Sequence, residues 1–163
     1  MTTIVYRDGV MAADSRAFAG DRNPIGYKTK IRAMVVDDVA YLVGVSSPAP
    51  GYGEAVLNWF EAGMDIHDTP PMPEQGFTLL AVDAGGQGYY AANSFYLSGP
   101  LTNEWWAIGS GDEFAIGALR SGATAVEAVA VAKEFDQWTG GPTHTLTFVT
   151  TDQGITVLAG AVE

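Results

Sequence analysis

The order of elements in the sequence predicts an α+β fold built on two mainly antiparallel sheets, and a four-layer αββα sandwich accommodates that order. Strand-like runs come in pairs around tight-turn residues, so hairpins rather than βαβ crossovers connect them. Helical patterns fall between the strand blocks, where they can cover the outer faces of two stacked sheets. Apolar residues make up 47% of the 163 residues and charged ones only 17%, a composition suited to burying a core of one domain, residues 1–163. A two-layer α+β fold satisfies the same pattern almost as well.

Each element follows from local chemistry. Thr2 to Arg7 and Val10 to Ser15 are β-prone runs on either side of Asp8-Gly9, a dipeptide suited to a tight hairpin. Ile31 to Val36 and Val39 to Val45 flank Asp37-Asp38 in the same way. Phe77 to Val82 and Gly88 to Ala92 flank Ala84-Gly85-Gly86; Thr143 to Thr150 and Ile155 to Ala159 flank Asp152-Gln153-Gly154. Trp105 to Ile108 adds one short strand. Among the helices, Glu54 to Ala62 spaces Val56, Trp59, Phe60 and Gly63 at intervals of three and four, with Gly63 as a stop signal. Asp112 to Leu119 opens with two acids, which suit the positive end of a helix dipole. Thr124-Ala125-Val126-Glu127 has the capping-box pattern and leads into an Ala/Val-rich helix ending near Asp136. Its sparse polar surface predicts packing on both sides. The Pro-rich stretch from Asp65 to Gly76, with Pro70, Pro71 and Pro73, cannot continue a helix.

Charge and composition narrow the function classes. Nineteen acidic residues against eight basic ones give a net charge of −11, and the basic residues are scattered. Phosphate contacts need clustered Lys and Arg, so nucleic acid is disfavoured as a partner. Apolar stretches are broken by Gly, Asp or Ser before they reach membrane-spanning length, and no secretory leader is visible; the expectation is a cytoplasmic protein with no membrane partner. Without cysteine there are no disulfides, thiolate nucleophiles or Cys-based metal sites. His67 and His144 lack second ligands at metal spacing, so no metal and no cofactor are expected; they read as a surface-loop residue and a strand residue.

The N-terminus carries the candidate chemistry. Methionine aminopeptidases remove Met1 when a small residue follows, and Thr2 qualifies. Removal leaves Thr2 with a free α-amine beside its own hydroxyl. Such an amine titrates at about 7.7–8.0 when unperturbed, so it serves as a base near neutral pH and activates the hydroxyl as a nucleophile. Asp14 lies at the end of the second strand run and Lys30 at the start of the third. A buried Lys beside the amine favours the amine's neutral form by like-charge repulsion, and a carboxylate holds that Lys charged. Taken singly, Thr2 reads as an edge-strand residue, Asp14 as a turn cap and Lys30 as a solvated strand end.

Together these segments resemble the opening of proteasome β-subunits and HslV-type peptidases. The resemblance rests on Thr2-Thr3-Ile4-Val5, Ala13-Asp14-Ser15-Arg16 and Lys30-Ile31-Arg32, with the Asp some dozen residues past the Thr and the Lys about sixteen further on. Ala107-Ile108-Gly109-Ser110-Gly111 is similar to the family's Gly-Ser-Gly segment at a helix start. Asp136-Gln137-Trp138-Thr139-Gly140-Gly141 is similar to its Asp-x-x-Ser/Thr-Gly-Gly pattern.

The resemblance implies the N-terminal nucleophile hydrolase fold and a threonine peptidase that works through an acyl-enzyme. It implies Thr2 as nucleophile with its own amine as proton acceptor, Lys30 lowering the amine's pKa, Asp14 pairing with Lys30, and Ser110, Asp136 and Thr139 as a hydrogen-bonded shell. Ser110 also reads as a helix N-cap. The backbone N–H of Ser47, where the family usually has Gly, is the implied oxyanion donor. Val45 marks the specificity pocket and implies a small-to-medium apolar one. Implied partners are a peptide or protein substrate, further copies of the chain in a homo-oligomeric ring, and an ATP-driven unfoldase. The family has two helices after the corner at Gly44 to Pro48, whereas here one helix and the Pro-rich segment fill the space. Two other readings remain open: a non-catalytic ring component, and a small-molecule amidohydrolase of the broader N-terminal nucleophile group whose pocket is shaped by Tyr52 and Trp59.

Overall fold

The computed structural model describes residues 1–19 and 23–163. In chain order the strands are β1 (Thr3–Arg7), β2 (Val10–Ala13), β3 (Arg16–Phe18), β4 (Pro24–Tyr27), β5 (Ile31–Val36), β6 (Val39–Ser46), β7 (Thr78–Asp83), β8 (Gly88–Ala92), β9 (Ser98–Leu101), β10 (Trp105–Gly109), β11 (Thr143–Thr151) and β12 (Gly154–Val162). The helices are α1 (Tyr52–Glu61), α2 (Asp112–Arg120) and α3 (Ala125–Phe135). One five-stranded sheet runs β10-β1-β2-β11-β12 and the other β5-β6-β7-β8-β9, while β3 and β4 pair separately. Every pairing is antiparallel.

The hairpins form where the turn residues accept positive φ. Asp8 and Gly9 (φ 51° and 79°) join β1 to β2, and Asp37 and Asp38 (φ 50° and 64°) join β5 to β6. Positive φ at both central positions gives the backbone twist that matches flanking strands. Side chains alternate across each strand, so β1 sends Ile4 and Tyr6 to one core and Val5 to another. Ile4, Tyr6, Met11 and Ala13 of the first sheet pack against Leu42, Leu80 and Val82 of the second. Val5 and Ala12 face Ala115, Leu119, Ala128 and Val129 of α2 and α3. On the second sheet's far side, Val43, Val45, Leu79 and Ala81 meet Val56, Leu57 and Phe60 of α1. Gly44 lets the sheets approach, because a Cβ there would lie 2.8 Å from the Ile4 side chain.

The capping box forms as the sequence predicts: Glu127 N–H donates to Thr124 Oγ1 at 3.2 Å, and Thr124 N–H donates to Glu127 Oε2 at 2.8 Å. Other expectations need correction. α3 packs on one face only: Ala128, Val129 and Ala132 are buried, but Phe135 is 64% exposed and stacks on Phe114 of α2 at 5.5 Å. β3, β4 and β9 lie in segments whose Gly, Pro and Ser content masks a strand pattern. The second strand stops at Ala13 rather than Ser15, because the backbone beyond it bonds to the Gly140 carbonyl, with Ser15 N–H at 3.1 Å and Arg16 N–H at 2.9 Å. β12 is longer than Ile155 to Ala159, and it is the sheet edge with Ile155, Leu158 and Val162 exposed. No helix among the described residues is long and apolar enough to cross a membrane.

Candidate active site

The β1–β2 register brings the two ends of the hairpin together. Ile4 pairs with Ala13, so the chain before Ile4 and the chain after Ala13 emerge side by side. Asp14 is fully buried there. Its Oδ1 accepts hydrogen bonds from Thr2 Oγ1 at 3.0 Å, Thr3 N at 3.0 Å and Lys30 Nζ at 2.9 Å. Its Oδ2 accepts from Lys30 Nζ at 3.0 Å and Gly140 N at 3.0 Å. Lys30, just before β5, is 4% exposed. Burial pushes its ammonium below the ordinary lysine range, and the Asp14 charge and hydrogen bond oppose that shift. Thr2 and Lys30 are therefore held on one carboxylate.

A second buried carboxylate organises the backbone of Thr2. The Thr2 N–H donates to Ser110 Oγ at 3.1 Å, and Ser110 Oγ donates to Asp136 Oδ2 at 2.7 Å. Thr139 Oγ1 donates to the same Oδ2 at 2.5 Å, and Thr139 Oγ1 and Thr3 Oγ1 lie 2.7 Å apart. Ser110 does not cap α2, because Gly111 holds the N-cap position with no side-chain bond. Asp136 is the C-cap of α3, and its Oδ1 accepts Trp138 N at 3.2 Å. Thr2 and the five residues predicted around it thus form two hydrogen-bonded groups that meet at Thr2 and Thr3.

With Met1 attached, the terminal amine is that of Met1. Burial, then the Lys30 charge, lowers it from 8.0 to about 6, against the raising effect of Asp14 and Asp136. Lys30 Nζ also donates to the Met1 carbonyl at 3.3 Å. Met1 lines two cavities. The first, about 200 Å³, holds Thr2, Lys30, Val45 and Ser47; the second, about 370 Å³, holds Ser110, Asp112, Asn93 and Tyr90. Ser47 Oγ donates to Gly76 O at 2.7 Å and accepts Ala49 N at 3.2 Å, so the hydroxyl is engaged locally.

Two expectations about the pocket change. Val45 does line the first cavity, but the walls are not simply apolar: Lys28 Nζ meets Glu54 Oε1 at 2.8 Å, and Arg16 stands nearby. Tyr52 and Trp59 line neither cavity beside Thr2. Both lie on α1 and are buried in the core between that helix and the second sheet, and Trp59 Nε1 donates to Asp65 O at 2.9 Å. His67 sits exposed in a loop and His144 on β11. No cluster of metal-ligating side chains occurs among the described residues.

Sequence reasoning missed several residues of this site. Thr3 joins the two hydrogen-bonded groups, and Gly140 supplies an N–H to Asp14. Gly109 (φ 103°) lies so close to Thr2 that a Cβ would collide with the Thr2 carbonyl oxygen. Gly109 adjoins Ser110 and Gly140 adjoins Thr139, and that adjacency is the signal in the sequence: a glycine beside a polar residue of a site marks close backbone approach.

No protein-family model matches the sequence, and no curated protein matches it. Solved structures match over nearly the whole chain. Anbu from Hyphomicrobium sp. strain MC1 superposes with a TM-score of 0.71 at 12% identity, over 100% of this chain and 88% of its own. Eukaryotic HslV from Trypanosoma brucei gives 0.58 at 15% identity, over 97% of both chains. The helical assembly of the Anbu complex from Pseudomonas aeruginosa gives 0.64 at 14% identity, over 99% and 86%. At these identities the likeness is one of fold.

Proposed function

We propose that the chain is a threonine-type peptidase of the proteasome β-subunit and HslV kind, with Thr2 as nucleophile once Met1 is removed. The observation that carries this reading is the convergence of Thr2 Oγ1 and Lys30 Nζ on one buried carboxylate, with Ser110 Oγ at the Thr2 nitrogen. After Met1 removal that nitrogen becomes an α-amine already held by Ser110. Burial and the Lys30 charge keep it neutral near pH 7, as they lower the Met1 amine. The amine takes the Oγ1 proton, directly or through one water, as Oγ1 adds to the substrate carbonyl carbon. The Ser47 N–H stabilises the oxyanion. Collapse expels the amine half of the substrate with the proton and leaves an ester on Thr2, which water hydrolyses with the same amine as base.

Asp14 keeps Lys30 charged, while Asp136 and Thr139 orient Ser110. A buried ion pair adds little net stability compared with an apolar replacement. Its retention beside a hydroxyl therefore favours chemistry over a purely structural ring component. The three stacked cores support a single four-layer αββα domain of the N-terminal nucleophile type. Exposed apolar groups on β12 and the Phe114–Phe135 pair support homo-oligomeric assembly, with the active sites facing an inner chamber. A cytoplasmic enzyme acting on peptides or proteins, fed by an ATP-driven unfoldase, completes the proposal.

The test is intact mass together with turnover of blocked fluorogenic peptides. Loss of Met1 is expected, along with turnover that vanishes in Thr2→Ala and Lys30→Ala. Turnover that survives Thr2→Ala would end the reading, and light scattering that finds only monomer would remove the chamber.

A further inference from the structure

The first cavity offers an incoming group hydrogen-bond donors and hides its acceptor. Three of the chain's eight basic residues, Arg16, Lys28 and Lys30, line it, although the net charge is −11. Lys30 is engaged by Asp14. Lys28 gives one N–H to Glu54 Oε1 at 2.8 Å, which leaves two, and its side chain is 37% exposed. Arg16 lies over the Gly140 backbone, donates to Gln137 O at 3.3 Å and has no carboxylate partner among the described residues.

Glu54 is the one carboxylate among the described lining residues. Its Oε1 is tied to Lys28, and its Oε2 is buried without a hydrogen-bond partner. A cationic side chain entering the cavity therefore meets an ammonium and a guanidinium, and the one lining carboxylate is already tied to Lys28 through Oε1. A carboxylate meets two donors of opposite charge. Val45, Phe18 and Ile25 supply apolar walls that lower the local dielectric and strengthen such a contact.

We propose that this cavity receives an acidic side chain, the Asp or Glu on the acyl side of the bond that Thr2 attacks, and that Lys28 is the residue that reads its carboxylate. Arg16 reinforces the positive potential. Glu54 holds Lys28 in place and weakens its pull on the substrate. The acyl half stays on Thr2 beside Ser47, and both residues line this cavity, so the side chain on that half is the one that enters it. The inference rests on the Thr2 peptidase reading.

The experiment is a panel of blocked fluorogenic peptides identical except for Glu, Gln, Leu or Lys at the residue before the cleaved bond, assayed with the full chain. Glu is expected to exceed its neutral isostere Gln by about tenfold or more in kcat/KM, since hydrogen bonds to charged groups outweigh neutral ones. The preference should shrink with added salt. Lys28→Met should erase it, Lys28→Arg should retain it, and Glu54→Gln should enlarge it. Leu or Lys peptides cleaved faster than Glu, or a Glu preference untouched by Lys28→Met, would overturn the inference while leaving the peptidase intact.

If no peptide is cleaved, the peptidase reading fails, and the pocket is tested alone by calorimetry on Thr2→Ala protein with acetylated peptides ending in Glu-amide or Gln-amide. Tighter binding of the Glu peptide that is lost in Lys28→Met supports the pocket assignment. Equal binding overturns it.

Discussion

Removing the charge of Asp14 is the sharpest perturbation of the site. Asp14→Asn leaves the Lys30 ammonium buried at 4% exposure with no anion, and it turns one carboxylate oxygen into a donor facing donors. Breaking a buried pair from one side costs about 3–5 kcal/mol, a large share of the roughly 5–15 kcal/mol that holds a domain together. Lys30→Met is expected at the lower end of that range. Asp14 then keeps the donors Thr2 Oγ1, Thr3 N and Gly140 N.

In Asp14→Asn with Lys30→Met no unpaired charge remains. The residual cost is one backbone N–H without an acceptor, about 1–3 kcal/mol. The singles should therefore sum to several kcal/mol more than the double, the signature of direct coupling. Urea unfolding at pH 7 followed by Trp fluorescence measures all four corners of the cycle. Singles that each cost under about 1 kcal/mol, as exposed pairs do, or that add to within about 0.5 kcal/mol, would refute the buried-pair reasoning. Peptide turnover should be lost in all three variants, including the double whose stability recovers, which separates the chemical role of the pair from its structural one.

Four further outcomes follow from the same geometry. In the chain that retains Met1, the native amine titrates at about 6 against 8.0 for the unperturbed group; the unfolded state thus binds more protons between these values, and urea stability should rise with pH across that window. In the processed chain, the Thr2 amine followed by its ¹³C shifts should titrate below the ordinary range and move up in Lys30→Met; an unchanged midpoint would remove Lys30 from the proton step. Ser110→Ala deletes the acceptor of Thr2 N and one donor to Asp136, and should lower kcat/KM by about ten- to a hundredfold with about 1–2 kcal/mol of stability lost. Gly109→Ala drives a Cβ into the Thr2 carbonyl from a backbone at φ 103°, so activity should vanish even where circular dichroism finds the fold retained.

How much of this was legible follows from what each signal encodes. The hairpins at Asp8-Gly9 and Asp37-Asp38 and the α3 capping box are local, so turn and cap chemistry located them without tertiary information. Thr2, Asp14 and Lys30 are far apart in sequence: N-terminal chemistry and strand-end positions mark them singly, and only the family resemblance joins them into one site. Thr3 and Gly140 were missed because their importance is purely relational: one bridges two carboxylate networks and the other lends a backbone N–H. The packing of α3 misled for a different reason. An Ala/Val-rich helix reads as buried all round, yet one chain buries a single face and leaves Phe135 stacked on Phe114 at the surface. A monomer's sequence does not distinguish a face buried by its own chain from one awaiting another copy.

The lysine pair at the site shows how position divides like residues between chemistry and recognition. Lys30 precedes β5 at a point closed over by Asp14 and Met1, so burial and a single carboxylate fix its geometry. Lys28, two residues earlier, faces the cavity with N–H bonds to spare and a partner that α1 supplies in its first turn. Both lysines line the cavity beside Thr2 while their partners differ. Removing each partner should therefore affect a different kinetic constant. Glu54→Leu releases Lys28 into the cavity without touching the Asp14–Lys30 pair, and it should alter KM for acidic peptides more than kcat. Asp14→Asn should abolish kcat whatever the peptide's charge. A kcat loss of equal size in both variants would mean that the two lysines act as one charge cluster, with no division between chemistry and recognition.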